Sequence, residues 1–263
     1  MADILVILDF DKTIIDVDSD YWIVDEFGVT NLFDELLPAM TLNSVMTRVM
    51  DSLHRQGITI YQIAEVLKRI PIHPRIVNAL KMAHASGCEL RIISDANTFF
   101  IDTVLEHVGL RDCFSEINTN PGFLDEQGRL NIAPFHDHGC CHLCPANMCK
   151  GLIVERIKAS MEGKKKRIIY LGDGEGDYCP SMKLTKGDFV MPRKNFPVWD
   201  LICQNPAIIR SEIHEWIDGD EFECVLLEII GAISVQGIIG DFRLLPSLVA
   251  ASEALPNKAL SVT

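Results

Sequence analysis

Three short apolar runs punctuate the chain, each ending in a polar turn: Ile4-Leu-Val-Ile-Leu8, Cys88-Glu-Leu-Arg-Ile-Ile-Ser94 and Arg167-Ile-Ile-Tyr-Leu171. Runs of this length, rich in β-branched residues, suit strands buried on both faces of a parallel sheet. Phe189-Val-Met191 reads as a weaker fourth strand. Shorter strand-like pieces lie around Ile117 and between Phe123 and Ile132, the latter flanking a hairpin turn at Asp125-Glu-Gln-Gly128. Between the first two runs the period changes. Leu32, Phe33, Leu36 and Leu37, then Val45, Met46, Val49, Met50 and Leu53, then Ile63, Val66, Leu67 and Ile70 recur at helical spacing. That spacing predicts about three helices across residues 21–70, punctuated by Pro38 and Gly57. Further helices are predicted over 75–86, 97–107 and 150–161, and near 198–203, 206–216 and 222–233. Strands alternating with helices imply an α/β fold built on a doubly wound parallel sheet. The expected organisation is a core of residues 1–15 and 71–240, an inserted helical block at 16–70, and a loosely ordered tail at 241–263.

Composition narrows the partners. Apolar residues are 48% of the 263 and charged residues 23%, as in an ordinary globular chain. Thirty-seven acids against 24 bases give a formal charge of −13, which disfavours nucleic acid and anionic membranes as partners. An acidic protein still binds phosphate when a divalent cation sits in the site. The first nine residues lack the basic segment of a secretory signal. The longest apolar stretch, residues 225–240, carries Glu228 and Gln236 and falls short of the roughly 18 residues a membrane span needs. Nine cysteines, an odd number, suggest reduced thiols, and a cytoplasmic setting is expected.

Chemistry concentrates where the strands end, which is where open parallel sheets bind their ligands. Asp9-Phe-Asp11-Lys-Thr13 follows the first run, Ser94-Asp95-Ala-Asn97 the second, and Asp173-Gly-Glu-Gly-Asp177 the third. An aspartate after a strand is often only a turn or cap residue; three such sites on one sheet edge are harder to dismiss. Asp9, Asp11, Asp173 and Asp177 would repel one another unless a hard dication held them, and Mg²⁺ fits best. Gly172, Gly174 and Gly176 leave room for backbone to approach the ion.

These motifs resemble those of the haloacid-dehalogenase-like phosphohydrolases. Asp9-Phe-Asp11-Lys-Thr13 resembles the first motif, Ser94 the second, Lys150 at the head of a helix the third, and Gly172-Asp173-Gly-Glu-Gly-Asp177 the fourth. Within that group, Asp16-Val-Asp-Ser19-Asp20, Ser94-Asp95-Ala-Asn97, Cys144-Pro-Ala-Asn-Met-Cys149-Lys150 and Met191-Pro-Arg-Lys-Asn-Phe-Pro-Val-Trp199 are similar to the phosphoethanolamine/phosphocholine phosphatase family. Its plant branch includes members specific for inorganic pyrophosphate or thiamine monophosphate. The resemblance implies a helical cap at 16–70 and Mg²⁺-dependent hydrolysis of a small phosphorylated metabolite, preferably phosphoethanolamine or phosphocholine. Asp9 is then the nucleophile that forms an aspartyl-phosphate, and Asp11 the general acid and base. Ser94 and Lys150 hold the phosphoryl oxygens. Asp9, the backbone carbonyl of Asp11 and Asp173 ligate the metal, with Asp177 acting through water or orienting Lys150. Asp20 and Asp95 sit near an amine head group, with Tyr21 or Trp22 available to a choline cation. The plainer alternatives are that Asp20 caps a helix, that the two aromatics pack inward, and that Lys150 is a solvated helix-start residue. Hydrolysis of pyrophosphate or thiamine monophosphate, transfer to an acceptor other than water, and a metal-binding regulatory role without catalysis are further alternatives.

One cluster falls outside that scheme. Cys140, Cys141, Cys144 and Cys149 surround His142, with His136 and His138 just upstream. Such density suits zinc, although the spacing is not a clean pair of CxxC knuckles. Thiols packing a loop, or a redox-sensitive lid, are the alternatives. Cys88, Cys113, Cys179, Cys203 and Cys224 read as buried small hydrophobes.

Overall fold

Alternate residues of the first apolar run feed two different cores. Ile4, Val6 and Leu8 belong to one hydrophobic cluster, while Leu5 and Ile7 belong to another. All five side chains are fully buried. Period-two alternation sends successive side chains to opposite faces of a sheet, so a strand with no polar alternation must be covered on both.

The computed structural model describes residues 4–139, 141–163 and 166–244, with residues 236–244 described by backbone alone. In chain order the elements are β1 (Ile4–Leu8), α1 (Ser19–Glu26), α2 (Thr30–Leu36), α3 (Leu42–Arg55), α4 (Ile60–Leu67), α5 (Pro74–Ala85), β2 (Glu89–Asn97), α6 (Thr98–His107) and β3 (Phe114–Asn120). There follow β4 (Gly122–Leu124), β5 (Leu130–Ile132), α7 (Lys150–Ser160), β6 (Arg167–Gly172), α8 (Tyr178–Ser181), β7 (Phe189–Pro192), α9 (Pro197–Gln204), β8 (Glu212–Ile213) and α10 (Gly219–Leu244). The main sheet has six strands in the order β3-β2-β1-β6-β7-β8, and every pairing in it is parallel. The chain winds outward from β1 in one direction through β2 and β3, then in the other through β6, β7 and β8. The order therefore reverses between β1 and β6, and a crevice opens there beyond the strands' carboxyl ends.

One face of the sheet is covered by α5, α6 and α10 and is continuous with apolar residues of the inserted helices, including Ile23, Phe33, Val45, Val49 and Ile63. The other is covered by α7 and α9 through Ile153, Val154, Ile157, Val198 and Ile202. The hairpin β4–β5 reaches the inserted helices, where Thr47 Oγ1 meets both the N–H and the carbonyl of Ile132 and Arg129 pairs with Asp51.

Several expectations need correction. The inserted block holds four α-helices and a short 3₁₀ turn at Leu37–Ala39, not three helices. The helix placed over 206–216 does not form. Ile209, Ile213 and Trp216 have helical spacing, yet the segment runs along the sheet edge. It starts with a 3₁₀ turn at Pro206–Ile208 and then pairs with β7 through β8. The bonds His214 N–H to Val190 O and Trp216 N–H to Pro192 O continue that pairing. Backbone pairing at an open edge outweighed a period with only three members. The final helix runs to Leu244, past the expected helix end near 233 and start of the tail at 241. Residues 245–263 lie outside the described residues.

Trp216 closes this edge: it is fully buried, its Nε1–H donates to Met191 O at 3.1 Å, and it packs edge-on against Phe222. Truncating such a side chain leaves a cavity, so Trp216→Ala should lower the unfolding free energy by about 3–5 kcal/mol. Urea unfolding checks this; a loss within experimental error would contradict the edge-closing role.

Candidate active site

The carboxyl ends of β1 and β6 are adjacent strand ends, joined beyond the ladder by the Asp9 N–H to Leu171 O bond at 2.9 Å. Asp9 therefore stands beside Asp173, the residue following β6. Beyond Asp9 the chain turns tightly: the N–H groups of Ile14 and Ile15 both reach Phe10 O, and Lys12 adopts a positive φ of 52°. Arg193 steadies this turn from the far strand. Its guanidinium donates to Lys12 O and lies over the rings of Phe196 and Trp216.

Lys150 is the first residue of α7, and its side chain is buried at 2% exposure. Its ammonium donates to Asp9 Oδ2 at 2.6 Å and to Asp177 Oδ1 at 2.9 Å. The solvated helix-start reading is thereby excluded. Burial pushes the ammonium pKa down, but Asp177, Asp9 and Asp95 outweigh that and hold it well above its ordinary value. Asp177, fully buried, also accepts from Tyr170 OH at 2.6 Å and from the N–H groups of Asp173 and Gly174. A Cβ at Gly172 would overlap the Asp177 carboxyl group. The room at this glycine thus admits a side chain, where the sequence suggested room for an ion.

Asp9, Asp11, Lys12, Asp18, Asp20, Leu42, Ser94, Asp95, Lys150, Asp173, Gly174 and Gly176 line a cavity of about 180 Å³. Six carboxyl groups thus face two ammonium groups. Asp173 is pushed up to about 7 by burial and then by Asp177. Burial likewise raises Asp9, with Lys150 opposing it and Asp177 and Asp173 reinforcing it. Asp11 is raised by burial and by Asp18, Asp20 and Asp9, although the Ser19 N–H stabilises its charge at 2.9 Å. Asp20 is raised by burial, Asp18 and Asp95, and its Oδ1 is buried without a hydrogen-bond partner among the described residues. Asp95, raised by burial, is held by Asn147 Nδ2 at 3.1 Å. Uncompensated buried carboxylates are costly, and a cation relieves that cost.

Every predicted site residue except Asp177 lines the cavity, and Asp177 stands directly behind Lys150. Asp18, not Asp20, caps α1, accepting from Tyr21 N–H at 3.2 Å. Tyr21 and Trp22 are not among the lining residues: Tyr21 packs on Phe33, and the Trp22 Nε1–H is bound to Val66 O. The sequence did not single out Thr13, whose hydroxyl donates to Asp173 Oδ1 at 3.2 Å, nor Asn147 and Tyr170. A tyrosine in an otherwise apolar buried strand was the available sign for the last of these. The thiols are also redistributed. Cys140 lies outside the described residues, Cys203 and Cys224 are exposed, and Cys179 joins Cys141, Cys144 and Cys149.

A family described as "Putative Phosphatase" matches residues 4–230. The chain is 60% identical over 237 residues to inorganic pyrophosphatase 2 of Arabidopsis thaliana, covering 88% of this chain and 85% of that protein. It is 34% identical over 224 residues to the phosphoethanolamine/phosphocholine phosphatase of Homo sapiens, covering 81% and 84%. A substrate-bound phosphoserine phosphatase structure shares the fold, with a TM-score of 0.56 at 13% identity over 82% of this chain and 95% of that one. Fold and sequence together define a haloacid-dehalogenase-like phosphohydrolase. More narrowly, the chain belongs to the Putative Phosphatase family and is a phosphatase of small phosphorylated substrates. Among the described residues, no helix is long and apolar enough to cross a membrane.

Crowding of buried carboxylates makes the metal-free site a source of instability. With a chelator present at pH 8, Asp173→Asn should raise Tm by about 2–4 °C, the shift expected from roughly 1 kcal/mol in a chain of this size. Calorimetry reads the shift directly; a fall in Tm would mean that the charged Asp173 stabilises the empty site.

Proposed function

We propose that the protein hydrolyses inorganic pyrophosphate with the help of Mg²⁺, through a phosphorylated Asp9. The observation that carries the substrate is the lining of the cavity: among its residues Leu42 is the only large apolar side chain, and no aromatic ring is present. An organic leaving group such as a thiazole or pyridine would find nothing to pack against, whereas a second phosphate needs only polar partners. The 60% identity to the Arabidopsis pyrophosphatase supports the same choice.

Asp9 attacks phosphorus, forming a carboxyl–phosphate bond as the bridging oxygen departs. Asp11 gives that oxygen its proton, then accepts one from the water that attacks the phosphorylated Asp9, and phosphate leaves as the carboxylate is regenerated. The raised pKa of Asp11 suits a group that must carry a proton near neutrality. Lys150 and Ser94 bind the non-bridging oxygens, where fixed charge supplies most of the catalysis.

The donor set fits Mg²⁺. Carboxylate oxygens of Asp9, Asp173 and Asp177 lie within 4.8 Å of one another, all on buried residues, as a small oxygen-ligated dication requires. Asp9 and Asp173 would hold the ion directly with the Asp11 carbonyl; Asp177, whose oxygens already accept four hydrogen bonds, would act through water or through Lys150. When bound, the ion withdraws charge from the phosphoryl group and keeps Asp9 ionised.

Asp18, Asp20 and Asp95, which line the cavity with Asp9, would repel a bare second phosphate, so pyrophosphate would have to enter with its charge compensated by a dication. A second reading, phosphoethanolamine, is favoured by the unpartnered Asp20 Oδ1, which an ammonium would satisfy.

Phosphate release from pyrophosphate, phosphoethanolamine, phosphocholine and thiamine monophosphate, titrated with Mg²⁺, separates the two. Pyrophosphate should be preferred by kcat/KM, with a steeper Mg²⁺ dependence than any ester, and Asp20→Asn should leave its hydrolysis within about threefold. A preference for phosphoethanolamine that disappears in Asp20→Asn would replace the first reading with the second. In either case Asp9→Asn, which hardly changes volume, should lower kcat by about 10⁴-fold or more while keeping the wild-type Tm within a few degrees. Retained turnover in that variant would refute the covalent mechanism.

A further inference from the structure

Next to Lys150 in the chain, on residues that do not line the cavity, four sulfur atoms converge. Cys141, Cys144, Cys149 and Cys179 each offer an Sγ, and all four lie within 4.8 Å of one another. Cys141 Sγ is 3.6 Å from Cys179 Sγ, and Cys149 Sγ is 4.0 Å from it. None of the four is in a disulfide. Zinc bonded to four sulfurs at about 2.3 Å sets them about 3.8 Å apart along the edges of a tetrahedron. The distances match that edge and not the roughly 2 Å of a sulfur–sulfur bond.

We propose that these four cysteines hold one zinc ion in a closed structural site. Cys141, Cys144 and Cys149 supply a C-x₂-C-x₄-C segment, and the fourth ligand comes from α8. Among the described residues, no histidine joins the four thiols within ligand distance of one another, and two nearby rings make other contacts: His136 Nε2 accepts the Cys149 N–H at 3.0 Å, and His138 Nε2 lies 2.7 Å from Pro145 O. The first of these contacts fixes the backbone at a zinc ligand. Gly151 completes the geometry, since a Cβ there would overlap Cys179 Sγ and crowd Lys183 Cε. Lys183 Cε lies beside the same position, with its ammonium paired to Glu155 at 2.7 Å.

With four protein ligands there is no open position, so the ion is structural. Its place gives it a particular task. Cys149 directly precedes Lys150, and Cys179 follows Asp177 by two residues. Zinc therefore ties together the two chain segments that carry the 2.9 Å Lys150–Asp177 contact. It adds metal–sulfur bonds to the packing that already joins them, since Met148 and Tyr178 lie in the same buried cluster.

The test uses the full chain purified under reducing conditions, with zinc counted by mass spectrometry of the elements. About one zinc per chain should co-purify, and mercurial titration of the thiols should release it. Exchange for Co²⁺ should give the intense visible absorption and sulfur-to-cobalt charge transfer of a tetrahedral thiolate site. Cys179→Ser should retain less than about a tenth of the zinc, whereas Cys203→Ser, at an exposed position, should retain it all. The stoichiometry and cobalt spectrum of the unmutated chain stand even if Cys179→Ser folds poorly. A chain that neither contains nor takes up zinc or cobalt would overturn the proposal. So would iron in place of zinc, undiminished zinc in Cys179→Ser, or a disulfide among the four in chain kept reduced.

Discussion

One buried ammonium group organises the site. Lys150 is almost fully removed from water, and an unpaired charge there would be prohibitively costly. Asp9 on one side and Asp177 on the other make its position tolerable. That clasp couples three elements distant in sequence: the end of β1, the start of α7 and the turn after β6. Gly172 lacks a side chain because the Asp177 carboxyl group occupies the space one would fill, and Tyr170 turns its hydroxyl from an apolar strand toward the same acid. The reversal of strand order places all of these at one crevice.

The clasp does not balance the charge. Six carboxyl groups against two ammonium groups around so small a cavity leave a deficit of positive charge that the protein itself does not fill. Such a surface would disfavour a free phosphate anion and favour one accompanied by dications, in keeping with the chemistry proposed for the site. The same imbalance would separate the two proposed substrates: an ammonium head group would compensate the carboxylates as a covalent part of the ester, whereas pyrophosphate would have to arrive with its cations.

Much of this was legible in the sequence, for physical reasons. Strands buried on both faces tolerate no polar alternation, so β1 and β6 declared themselves, whereas β2 alternates Glu89 and Arg91 with buried Leu90 and Ile92 and was legible from its apolar residues before a polar turn. The acids at the three ends had to meet because parallel strands end on one edge. Edges are different. The 206–216 segment forms the last strand of the sheet, and the spacing of its buried or half-buried Ile209, Ile213 and Trp216 suits a helix as well as an extended edge. Within the site, the identities of the acids followed from motif position, and Asp177 beside Lys150 was one of the two expectations for it, but the contact of Lys150 with Asp9 depended on tertiary approach. Cys179 is the clearest instance. Thirty positions separate it from Cys149, and only the return of the chain after β6 brings its sulfur to the others. The hydroxyl of Tyr170 was hidden for a similar reason, because hydrophobic pattern alone does not distinguish a tyrosine that packs from one that also donates.

The phosphorylated aspartate is the most direct test of the whole account. Protein quenched in acid during turnover of pyrophosphate with Mg²⁺, then reduced with borohydride and digested, reports the site of any acyl-phosphate by peptide mass spectrometry. Conversion of Asp9 to homoserine in the β1 peptide is expected, dependent on both substrate and metal. Reduction at another carboxylate, or turnover with no reducible acyl-phosphate while phosphate is still released, would contradict it.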